Sequence, residues 1–86
     1  MFIPPVSKES KRVLQIIRKH GVCNGRQLRV EAGLESEELV SAVRELVNVE
    51  LISASGGTFS SKEIGHAYFN IRPSNSSLAE LVIKSL

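Results

Sequence analysis

The feature that most constrains this sequence is a glycine–leucine pair, Gly33–Leu34, set between two short amphipathic stretches. Before it, Leu28 and Ala32 recur one helical turn apart. After it, Leu39, Val43, Leu46 and Val47 follow the i, i+4, i+7, i+8 spacing of a helix that buries one side. A glycine just past the last periodic residue stops a helix. The spacing therefore predicts helices over about 25–32 and about 36–48, joined by a tight turn in which Leu34 is buried. Asn24 is a good N-cap for the first, with Gln27 at capping-box distance. Ser36 caps the second, with Glu37 and Glu38 at its positive end.

The flanks extend this core. Pro4–Pro5 mark an extended lead-in over 1–6. Ser7, then Val13, Ile16 and Ile17 with Leu14 beside them, predict a helix over about 7–20, ended by Gly21 after Arg18, Lys19 and His20. Val22–Cys23 reads as an apolar link. Leu51–Ala54 and His66–Ile71 are strand candidates separated by the loop Gly56–Gly65, with Ser55–Gly56–Gly57 as a turn. Pro73–Ser74–Asn75 ends the second strand. Ser76 or Ser77 caps a last helix over 76–86, with Leu78, Leu81, Val82 and Leu86 on one side and Ile83 off it. No repeat or linker divides the 86 residues, so 1–86 is expected to form one domain. The four aromatics are Phe2, Phe59, Tyr68 and Phe69, which leaves the core to Leu, Val and Ile.

The order helix, helix, tight turn, helix, hairpin, helix resembles the winged helix-turn-helix superfamily, in the stretch from Gly25 to Leu46 above all. Leu28 and Ala32 match the anchors of its second helix, Gly33 and Leu34 its turn, and Leu39, Val43 and Leu46 the seat of its third. Val49–Glu50–Leu51–Ile52 looks like the passage into the wing, with Glu50 where the family usually has glycine. Tyr68–Pro73 looks like the end of the wing. The resemblance spans about residues 8–86. It implies an α+β fold, mostly α: a three-helix core, a β-hairpin wing and a C-terminal helix. It also implies a transcription regulator that lays its third helix in the major groove of double-stranded DNA.

Charge is distributed unevenly around a net +2. Residues 1–30 hold seven basic side chains against Glu9. Residues 31–50 hold six glutamates against Arg44. The exposed positions expected on the third helix are Glu37, Glu38, Ser41, Arg44, Glu45 and Asn48, which offer phosphates little. The expected nucleic-acid-binding residues are Arg26, Arg29, Ser41, Arg44 and Lys62, with His66 near the wing. The acidic third helix is either a helix start suited to the dipole or a contact for a protein partner, and in the second case the alternative is a winged-helix protein-interaction or dimerisation module that does not bind DNA. The last helix either closes its own core or forms a homodimer, as in many winged-helix regulators.

Catalysis is not expected. The lone Cys23 has no evident histidine–carboxylate partner, and His20-x-x-Cys23 with distant His66 is not zinc spacing. Asp is absent, and Gly56–Gly57 lacks the context of a phosphate loop. No cofactor and no metal are implied. No apolar run reaches membrane-spanning length, the N-terminus lacks signal-peptide character, and a single cysteine suits a reducing compartment. A cytoplasmic protein is expected.

Overall fold

The computed structural model describes residues 5–56, 60 and 62–85. Residues 1–4 of the lead-in, Gly57 and Phe59 of the loop, and Leu86 of the last helix lie outside the described residues. The elements run α1 (Lys8–His20), β1 (Val22–Asn24), α2 (Gly25–Ala32), α3 (Ser36–Asn48), β2 (Ile52–Ser55), β3 (Tyr68–Ile71) and α4 (Ser76–Lys84). Short 3-10 turns at Ile64–His66 and Pro73–Asn75 flank β3.

The helix signals read locally give the observed helices. Ser7 caps α1 by accepting from the Ser10 N–H, and Val13, Leu14 and Ile17 are fully buried. Asn24 Oδ1 accepts from the Gln27 N–H at 2.7 Å, while the Gln27 side chain turns to Glu31. Gly33 ends α2 in the left-handed region at φ 67°, donating to Val30 O, and Leu34 donates to Arg29 O. That pair of bonds is a Schellman stop, which glycine meets without the cost of a Cβ. Leu34 itself is half-buried rather than fully buried.

The cap of α3 lies one residue before Ser36. It is Glu35, whose N–H donates to Glu38 Oε1 at 2.9 Å, and Ser36 is the first helical residue. A glutamate three residues into the helix reaches back to the cap backbone, so the spacing overrides the preference for serine. Leu39, Val43 and Leu46 are fully buried, and Val40 packs on the edge of the same core.

The helix ends on a second Schellman stop. Glu50 N donates to Val47 O and Leu51 N to Leu46 O, with Glu50 at φ 61°. This is the seat where the superfamily places glycine, and it is left-handed here despite the side chain. Asn75 Nδ2 supports it by donating to Glu50 O at 2.6 Å, and Arg72 lies 3.7 Å from the Glu50 carboxylate.

The sheet has three antiparallel strands in the order β1-β3-β2 rather than a bare hairpin. The supposed link Val22–Cys23 is most of β1, paired Val22 to Asn70, Cys23 to Phe69 and Asn24 to Tyr68. Three residues carry too little alternation to read as a strand alone; the partner strand specifies them. The second strand is shorter than 66–71, because Ile64–His66 form the 3-10 turn. Cys23 and Phe69 face inward and join the helices in one core.

α4 keeps Leu78 and Val82 of its expected stripe on the core, but Leu81 falls off it and Ile83 joins it. Ala79 and Val82 are buried, and Leu78 and Ile83 pack on the core. Asn75, not Ser76 or Ser77, occupies the cap position. Arg18 pairs with Glu80 and links α4 to α1.

Candidate nucleic-acid interface

The start of α2 and the base of the wing meet backbone to backbone. Gly25 N donates to Ala67 O at 2.9 Å, and a Cβ at Gly25 would collide with the Ile64 carbonyl. Only glycine allows this approach. Ile64 is buried beneath it, which fixes the 3-10 turn against α2. Between them lies a groove of ≈ 590 Å³. Asn24, Gly25, Arg26 and Arg29 line it from the α2 side, and Ser36 from α3. Lys62, Ile64, Gly65, His66 and Tyr68 line it from the wing side.

The groove thus gathers three of the expected residues. Arg26 and Arg29 lie three apart on α2, hence on one face, and Lys62 reaches the groove from the wing. All three are exposed, and no described lining residue is acidic. The result is a concave surface of one sign, which concentrates anions.

Ser41 and Arg44 are not brought to this groove. Ser41 lines a separate cleft of ≈ 330 Å³ between the start of α1 and α3, beside Glu9, Glu38 and Glu45. Arg44 is exposed on α3 outside both depressions. His66 and Tyr68 complete the groove. Tyr68 reads in sequence only as a strand former; the alternation of Phe69 and Ile71 inward is the signal that Tyr68 faces out.

Three of the six glutamates of 31–50, Glu35, Glu38 and Glu45, accept hydrogen bonds from backbone N–H groups. Glu38 serves the α3 cap. Glu45 Oε1 accepts from Ser7 N at 2.7 Å and from Ser10 Oγ at 2.6 Å, tying the start of α1 to α3. Burial opposes the Glu45 charge, but the hydrogen bonds from Ser10 and Ser7 outweigh it and hold the carboxyl below its ordinary value. Glu31 is also lowered, chiefly by its hydrogen bond with His20. On the basic side, Arg12 donates to Ala32 O at 3.4 Å, a cation at the end of α2.

Cys23 is 1% exposed, and burial, followed by the charge of Glu31, raises its pKa. Its thiol stays protonated and inward, as a small core side chain. Among the described residues, no group of three His, Cys, Asp or Glu is placed to hold a metal ion. No described helix is long and apolar enough to cross a membrane.

A helix-turn-helix on α2 and α3, a third helix packed beneath it and an antiparallel wing define a winged-helix fold. The chain is similar in structure to the adhesin competence repressor AdcR from Streptococcus pyogenes, with a TM-score of 0.68 and 11% sequence identity. The match covers 93% of this chain and 57% of that one, so the present chain spans little more than half the repressor's length. No protein-family model matches the sequence, and no curated protein matches it.

Proposed function

We propose that this chain is a DNA-binding winged-helix regulator of transcription that meets duplex DNA through the groove between α2 and the wing. The observation that carries this is the convergence of Arg26, Arg29 and Lys62 on one groove free of carboxylates among its described lining residues. Contacts to phosphates supply most sequence-independent affinity, and the planar arginine fork suits them. α3 is a poor first contact, because Glu37 and Glu38 stand exposed at its start. Ser41 and Arg44 come into play only with a duplex that continues across α3.

The likeness to a protein named as a repressor supports a regulatory role. The described residues act as one winged-helix unit, without a catalytic step or cofactor, in the cytoplasm. Leu81, off the stripe that α4 buries, supports a homodimer through that helix. Light scattering over a concentration series tests this; a mass fixed at one chain overturns it.

The DNA reading is tested by fluorescence anisotropy with a random-sequence duplex at about 50 and about 200 mM salt. Binding is expected at the lower salt and falls steeply at the higher. Replacing Arg26→Ala and Arg29→Ala together lowers the salt slope by about two, one for each phosphate no longer neutralised. Absence of binding at low salt overturns the reading.

A further inference from the structure

We propose that the same groove accepts a single-stranded segment of DNA, with one base stacked on Tyr68 and neighbouring phosphates held by Arg26, Arg29 and Lys62. This rests on the groove being the nucleic-acid interface. It adds that the groove distinguishes an unpaired base from a duplex.

The argument starts from an aromatic ring left uncovered. Tyr68 is 53% exposed, although it lies in the central strand of the sheet. Its directly opposed neighbours are Asn24 on β1 and Ser55 on β2. Both are short, and Asn24 is committed to capping α2. Gly56 adds nothing over the ring edge: a Cβ there would lie 3.6 Å from Tyr68 Cδ2, in ordinary contact. Cross-strand partners normally cover an aromatic. Here small residues leave the ring open, and it lines the groove that holds the cations.

An aromatic platform inside a positively charged groove is the combination that binds single strands. Every base presents a π-face, so stacking needs no particular sequence. In a duplex those faces are stacked on one another and closed to Tyr68. The cations serve either ligand, whereas the ring serves only the single strand. The groove volume of ≈ 590 Å³ falls within the usual range of small-ligand pockets, about 300–1,000 Å³.

The sequence supplies a direct readout. Tyr68 is the sole tyrosine and there is no tryptophan, so intrinsic fluorescence reports this ring. Titration with an oligodeoxythymidine of about 15 nucleotides, near the upper range of single-strand sites, is expected to quench it. A duplex of equal length leaves the emission nearly unchanged. In parallel, anisotropy with the labelled single strand is expected to show about tenfold weaker binding for Tyr68→Ala. Tyr68→Phe keeps the platform and stays within about twofold of the parent. Circular dichroism checks that both variants are folded.

Equal loss of single-strand and duplex affinity in folded Tyr68→Ala overturns the stacking role. So does an unchanged single-strand affinity in that variant. Duplex binding without single-strand binding overturns this inference but leaves the groove as a DNA interface. Failure of both ligands to bind at low salt overturns both readings.

Discussion

The two depressions flanking α3 invite comparison. The groove beside α2 is lined by Arg26, Arg29 and Lys62, all exposed. The cleft beside α1 is lined by Glu9, Glu38, Ser41 and Glu45. In the groove the charged heads are presented to solvent. In the cleft Glu38 and Glu45 accept hydrogen bonds from the backbone around them. A carboxylate that accepts from otherwise orphan N–H groups, as half-buried Glu45 and exposed Glu38 do, contributes to folding. A cation on an exposed concave face adds little to folding and remains available to a ligand. The sign of a surface is thus a weak guide to function until the partners of each charge are known.

The largest expected effect comes from breaking the architecture of the groove. Gly25→Ala places a methyl group against the backbone of Ile64, which has no flexible end to yield. The overpacking is expected to cost about 2–3 kcal/mol, lowering the melting temperature by about 10 °C or more. Thermal unfolding followed by circular dichroism measures it. A variant as stable as the parent would mean that the wing and α2 can separate freely, and the groove would lose its fixed shape.

The next effect belongs to the cleft. Glu45→Gln keeps the shape but removes the charge that Ser7 N and Ser10 Oγ bind, at a cost of about 1 kcal/mol near neutral pH. The Glu45 carboxyl lies below its ordinary value when folded. Its contribution to stability is therefore full above the ordinary carboxylate range and is lost as pH falls through the depressed folded value. Urea midpoints measured down an acid series should fall for the parent and fall less for Glu45→Gln. Parallel curves for the two proteins would show that Glu45 is not coupled to folding, and the contrast between the depressions would fail on its acidic side.

How much of this is legible in the sequence alone depends on how local each signal is. The spans of α1, α2 and α3 follow from caps, glycine stops and apolar spacing within a few residues. β1 is not legible, because three residues become a strand only through pairing with β3. The stripe of α4 is only partly legible: Leu78 and Val82 lie on the core as the spacing suggests, but the large apolar Leu81 outweighs the small Ala79 in a hydrophobic reading. Burial against α1 selects the small Ala79 with Val82 instead. Arg26, Arg29 and Lys62 stand out as cations, but their meeting depends on the contact of Gly25 with Ile64, nearly forty residues away. The spacing of Glu38, Ser41 and Glu45 on α3 places Ser41 on an acidic face, but that this face closes against the start of α1, away from the groove, depends on packing that the sequence does not show.

The smallest effect concerns the glutamate whose conformation, rather than its charge, is unusual. Glu50 sits at φ 61°, a region in which a Cβ costs about 1–2 kcal/mol. Glycine removes that strain but gives the unfolded chain more freedom, which returns part of the gain. Its exposed pairing with Arg72 at 3.7 Å adds little to lose. The Asn75 bond accepts at the Glu50 backbone carbonyl, so Glu50→Gly retains it. The net expectation is a stabilisation of about 0.5–1 kcal/mol, read as a higher urea midpoint with an unchanged slope. Loss of stability instead would show that the Glu50 carboxylate, like that of Glu45, is held for the fold, and would extend the lesson of the acidic cleft to the end of α3.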